Sequence, residues 1–258
     1  MKRKKILLSH NDDENPQVKW AKKFISKLFW AILLVPVIKW FWPSLIPMGG
    51  FELWHATGAL WDWLVAGKWL FAWAIGVSLV IYLISGTDGD NEPSEILSKG
   101  FAISLRAGVV EEIAFRWLIF MYSMAGLYIA NWILGGFNED YLGLVRWFNV
   151  KILGNIANFF TFGLMHDYIF HPKYWVIGAS LITTNILFRD GHMYQKWFGW
   201  INSWYCGMFL FYIALTYGLL AAIILHFLYD MLLFTLAALF EYIEIKRGKS
   251  RRKNFWGR

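Results

Sequence analysis

Long apolar runs alternating with short polar breaks fill most of this chain. The first run begins near Phe24 and extends to about residue 47, with Trp40 and Trp42 near its outer end and Pro43 and Pro47 closing it. A tryptophan-rich amphipathic stretch over 48–66 reads as an interfacial helix or loop. A second run covers about 67–86. The acidic stretch starting at Gly86 then turns the chain, and Pro93 opens a third helix over about 95–122. Further runs reach Gly135, cover about 144–167, and cover 174–188. The last apolar stretch before Glu241 is too long for one crossing and divides near Thr216 to Gly218. Several runs approach or exceed the roughly 20 residues needed to cross about 30 Å of hydrocarbon. The pattern predicts an all-α, polytopic transmembrane helix bundle of about eight spans, or about six if the 119–136 and 174–188 pieces do not cross.

Composition strengthens that reading. Of 258 residues, 58% are hydrophobic and 20% aromatic, with a mean hydropathy of +0.42. Soluble domains average about 45–50% apolar. The net charge of +7 gathers at the ends, in Lys2 to Lys5 and in the tail from Lys246. Basic flanks mark cytoplasmic sides, so an integral, multi-pass location with both termini cytoplasmic and an even number of crossings is expected. These clusters read as topology determinants and contacts to anionic membrane lipids, not as a nucleic-acid site. A single cysteine, Cys206, leaves no disulfide framework and no CxxC metal site. No cleavable signal peptide is expected, because the first apolar run lacks a small-residue cleavage site. The chain divides into a basic, polar arm (1–23), a transmembrane domain (24–241) and a basic tail (242–258), without an internal repeat.

Ionisable groups in mid-span are costly in hydrocarbon and usually mark a functional site. Here they are Glu111, Glu112, Arg116, His166, His226 and Asp230. Glu112 and Arg116 stand four apart, share a helix face and can neutralise each other. Glu111 is turned about 100° away and is left to face a cavity. Phe162 and His166 are also four apart, as are His226 and Asp230. The three sites converge on one intramembrane cavity within about 95–241. The structural alternative is a set of buried ion pairs that fix helix packing. His55, His171 and His192 fall in loops or interfacial stretches and read as bland, and Glu52, His55 and Asp62 read as bilayer-surface groups. Asn155, Asn158 and Asn185 either line the cavity or bond between helices.

The ordered set Glu111-Glu112-xxx-Arg116, Phe162-xxx-His166 and His226-xxx-Asp230 resembles the three motifs of the CAAX-protease and bacteriocin-processing family of intramembrane proteases. That family includes Ras-converting-type prenyl endopeptidases and bacterial Abi immunity and peptide-processing proteins. The resemblance implies peptide-bond hydrolysis within or at the edge of the membrane. Glu111 and His166 would activate a water, Glu112 would hold Arg116, and His226 with residue 230 would polarise the carbonyl and stabilise the oxyanion. Many members carry asparagine where this chain has Asp230, and an ionised carboxylate cannot donate to an oxyanion, so Asp230 is either protonated, orients His226 through a hydrogen bond, or ligates a metal. Glu111, His166, His226 and Asp230 also form a two-histidine, two-carboxylate set suited to zinc. The expected function is therefore an intramembrane endopeptidase acting on a membrane-associated peptide or protein, lipidated or not. No cofactor is expected in the glutamate version, and zinc in the metal version. Prenylated C-termini, leader peptides, pheromone precursors and bacteriocins all fit such a fold. The alternative is a non-enzymatic membrane immunity or transport protein that uses the same cavity.

Overall fold

The computed structural model describes residues 16–87, 91–135, 144–171, 173–193 and 196–256. The basic cluster at Lys2 to Lys5 and the loop over 137–143 lie outside the described residues. Among those described, every regular element is helical and no strand occurs. Helix α1 (Pro16–Phe41) leads through a 3-10 turn, Glu52–Trp54, to the short α2 (Leu60–Ala66) and then α3 (Lys68–Ser85). Pro93 occupies the first turn of α4 (Pro93–Glu111), where its missing N–H has no partner to lose.

The chain stays helical beyond α4 through a π segment, Glu112–Ile119, into α5 (Phe120–Leu134). The break expected between the third and fourth apolar runs is absent. The sequence from 112 to 134 holds no proline and a single glycine, Gly126, so nothing stops the hydrogen-bond ladder. A second interrupted helix follows: α6 (Leu144–Trp147), a π segment (Phe148–Leu153) and α7 (Gly154–Phe160). It ends earlier than predicted. Phe162 and Gly163 take the left-handed region at φ 54 and 77, which turns the chain before the one-turn α8 (His166–Ile169).

Helices α9 (Trp175–Asp190), α10 (Lys196–Tyr217) and α11 (Leu219–Trp256) complete the bundle. The division between α10 and α11 falls where the sequence places it, at Gly218. Its φ of +94 suits glycine, and a Cβ there would meet the His55 carbonyl oxygen at 2.5 Å.

Among the described residues, two helical stretches, Pro93–Leu134 and Leu219–Gly248, are long and apolar enough to cross a bilayer. Leu60–Ala66 with Lys68–Ile84 is a third if that pair, bent by 54°, forms one span. Outward-facing apolar side chains such as Trp40, Leu83 and Ile84, each about four-fifths exposed, suit contact with hydrocarbon. The stretch over 48–66 is more deeply involved than an interfacial segment. Leu53 and Trp63 are buried, and Trp117 of the first π segment donates to Gly50 O at 2.6 Å and meets the Trp54 ring edge-on. Glu52 and Asp62 act locally, accepting from Gly49 N and Ala59 N.

One packing choice positions the site. Gly100, Ser104 and Gly108 form a buried stripe of small residues on one face of α4, against α11. A Cβ at Gly100 would meet Phe234 at 2.5 Å, and one at Gly108 would meet Ile223 O at 3.0 Å. Small residues allow the two backbones this close approach, and it brings the C-terminal end of α4 beside the first turns of α11.

Candidate functional site

The α4 end presents two adjacent carboxylates in different directions. Glu112 is fully buried and lies 3.2 Å from Arg116 Nη1, the pairing its spacing predicts. That contact is ionic rather than an aligned hydrogen bond, since Arg116 Nε and Nη1 make none among the described residues. The guanidinium is otherwise held by Gly207 O at 3.5 Å and by the face of Phe188, 4.1 Å from its centre. A charge this deep needs such partners, because burial removes its hydration. The residues from Glu112 to Arg116 lie within the π segment, a helix form that occurs often at functional sites.

Glu112 Oε1 also lies 2.7 Å from His226 Nδ1 on α11. A carboxylate only accepts, so Nδ1 carries the hydrogen. One turn further on, Asp230 Oδ2 stands 3.6 Å from His226 Nε2. Arg116, Glu112, His226 and Asp230 thus form one continuous chain of charged and polar groups joining the π segment to α11.

Glu111 is directed elsewhere. It borders a cavity of about 350 Å3 whose walls include Ile103 and Ala107 of α4, and His226, Asp230 and Leu233 of α11. Across it stands His192, with Nε2 3.9 Å from Glu111 Oε2. His192 follows the C-terminal end of α9, where its Nδ1 lies 2.8 Å from Phe188 O and its ring packs on Phe188. A carbonyl only accepts, so Nδ1 is the protonated nitrogen. In the neutral ring, Nε2 is then the lone-pair nitrogen on the Glu111 side.

The second histidine motif is therefore corrected. His166 does not join this constellation: it is exposed on α8, packs against Phe170, and does not border the cavity. The expected stacking of Phe162 on His166 required a continuous helix, whereas Phe162 sits in the left-handed turn and is 78% exposed. His192, read from sequence as bland, takes the place expected for His166. The signal was present, because Phe188-xxx-His192 repeats the FxxxH spacing and ends a helix. Phe188 is buried and touches Arg116, His192 and His226, so its ring joins all three motif segments.

The proposed zinc set of Glu111, His166, His226 and Asp230 is not assembled as a set of four, because His166 lies apart from the other three. Among the described residues no three His, Cys, Asp or Glu side chains converge as metal ligands. Asn185 packs between helices, donating to Trp204 O at 3.0 Å, and Asn155 bonds back to Lys151 O within its own helix. Asn202, which the sequence reading passed over, borders the cavity.

Chemically, the arrangement offers two hydrogen-bond acceptors, Glu111 Oε2 and His192 Nε2, facing each other across a partly open cavity. Behind them lies a buried ionic chain that holds His226. Compared with family models, curated proteins and solved structures, the chain matches none.

Proposed function

We propose that this chain is an intramembrane endopeptidase of the CAAX-protease and bacteriocin-processing type, with Glu111 and His192 as the water-activating pair. The observation that carries the reading is the 3.9 Å approach of Glu111 Oε2 to His192 Nε2 at the cavity wall. A water between two acceptors donates one hydrogen to each and turns a lone pair outward, towards a carbonyl carbon. Glu111 takes the proton as the C–O bond forms and returns it to the leaving amine. His226, oriented by Glu112, and Asp230 flank the carbonyl oxygen.

The membrane arrangement belongs to the same proposal. We infer a multi-pass protein with both termini on the cytoplasmic side and a cavity opening towards that side. The unbroken helix over Pro93–Leu134 favours about six crossings over eight. The substrate is a membrane-associated peptide or protein.

The test uses purified full-length protein in liposomes with a peptide library digested from a cell proteome, cleavage being read by mass spectrometry. Glu111→Gln and His192→Ala are each expected to slow cleavage by about 10²-fold or more, the scale of general acid–base catalysis. His166→Ala stays within about twofold of the original rate on the same reasoning. Cleavage that survives Glu111→Gln removes the mechanism. Loss of cleavage on chelation, restored by zinc, replaces it with the metal version. Absence of cleavage by the unaltered protein favours a binding or immunity protein.

A further inference from the structure

Asn202, on α10, is held by its side-chain oxygen from two sides. Tyr229 Oη on α11 donates to Asn202 Oδ1 at 2.7 Å, and Trp73 Nε1 on α3 donates to the same atom at 2.9 Å. An indole N–H can only donate, so the atom facing Trp73 is the amide oxygen and Nδ2 is the end left over. Nδ2 makes no hydrogen bond to a described residue. Three helices therefore fix one amide in one orientation with its donor end uncommitted.

The position of that amide is informative. Asn202 borders the cavity that holds Glu111 and His192, and also a second cavity of about 360 Å3 lined by Val77 and Ile81 of α3. Leu233 and Ala237 are common to both. The amide thus stands where the two meet, and an extended peptide running from the apolar cavity towards Glu111 passes it.

Resting on the hydrolase reading above, we propose that Asn202 is a further catalytic residue, whose Nδ2–H donates to the scissile carbonyl oxygen and stabilises the oxyanion. The need arises from residue 230. An ionised aspartate only accepts, and His226 has its Nδ1–H committed to Glu112 and its Nε2 facing Asp230. Neither of them supplies an uncommitted, neutral donor, and Asn202 does. In the step itself, the water oxygen bonds to the carbonyl carbon and its proton passes to Glu111. The carbonyl π pair moves onto oxygen, and the Nδ2–H···O hydrogen bond to it shortens. Collapse re-forms the carbonyl, breaks the C–N bond and sends the Glu111 proton to the leaving nitrogen. The donor is preorganised, which is where such groups gain their effect.

The experiment compares Asn202→Asp with the unaltered protein on the best-cleaved peptide of the library described above. Aspartate keeps the oxygen that accepts from Tyr229 and Trp73 but lacks the N–H donor. The expected result is a fall in kcat of about 10²–10³-fold, the scale of losing one oxyanion donor, with KM little changed and the thermal midpoint retained. A phosphinate analogue of that peptide, which mimics the tetrahedral intermediate, weakens in proportion to kcat/KM. Adding Asp230→Asn, which places an amide across the cavity, recovers at least about tenfold of the loss in the double variant. Should Asn202→Asp fail to fold, Asn202→Ala, which also lacks the donor, is taken through the same comparison. Activity of Asn202→Asp near the original, with Glu111→Gln inactive, overturns this inference alone. Cleavage indifferent to Glu111→Gln overturns the hydrolase reading and this inference with it.

Discussion

Glu112 faces two cationic or proton-donating partners, Arg116 at 3.2 Å and His226 Nδ1 at 2.7 Å, with no exposed surface of its own. Its second oxygen has no hydrogen bond among the described residues, so charge balance rather than full hydrogen bonding secures the site. Removing one charge from such a buried pair leaves the other uncompensated, at a cost of about 3–5 kcal/mol. Glu112→Gln, nearly isosteric, is expected to destabilise the protein by that amount, read as a lower unfolding midpoint in detergent. The double variant Glu112→Gln with Arg116→Met should recover at least half, since no orphaned charge remains; no recovery would mean that Arg116 is held mainly by Phe188 and Gly207. The Glu112 and Arg116 pairing was legible from their spacing, as was the sharing of a face by His226 and Asp230. For the second motif the spacing alone did not choose, because Phe162 to His166 and Phe188 to His192 both carry it and side chains four apart share a face only where the backbone is helical. Gly163 ends that condition at Phe162, whereas Phe188 lies inside α9 and His192 stays close enough to return to its carbonyl.

At the scale of elements, the α4–α11 contact determines where the carboxylates meet the histidine. Gly100→Ala would press a methyl into Phe234, 2.5 Å from the ideal Cβ position. Overpacking of this kind costs about 1–3 kcal/mol. Gly76, within α3, has nothing within 4 Å of its ideal Cβ. Gly76→Ala should therefore stabilise by about 0.5–1 kcal/mol, the helix-propensity difference. Thermal unfolding of the two variants side by side checks both signs, and the account of the contact fails if Gly100→Ala is neutral. Gly218→Ala belongs with the destabilised group, because a positive φ and the His55 carbonyl both oppose a side chain there. The sequence showed this break as a glycine inside an overlong apolar run. The continuity from α4 to α5 was harder to read, since hydropathy alone does not distinguish one long helix from two joined spans. The π segment at the motif leaves no compositional trace.

For the whole molecule, continuity alters the count of crossings. A helix of 42 residues over Pro93–Leu134 extends about 63 Å at 1.5 Å per residue, twice the roughly 30 Å of hydrocarbon. On the membrane arrangement proposed above, two expected crossings merge into one helix that projects beyond the core. Helix α9, with 16 residues, is about 24 Å long, short for a span. Its residues from Val176 to Ile182 are all buried in the protein, as suits a helix enclosed by its neighbours. On that proposal, merging the first pair and withdrawing α9 takes eight to six, still an even number, as the basic residues at each terminus require. Cysteine labelling tests this directly. In a Cys206→Ser background, Ser9→Cys and Ser250→Cys should react with a membrane-impermeant maleimide only after the cells are permeabilised. A cysteine placed in the 137–143 loop should react in intact cells if the helix over Pro93–Leu134 is the third crossing. If one terminal cysteine reacts in intact cells and the other does not, the number of crossings is odd and α9 becomes the helix that must cross.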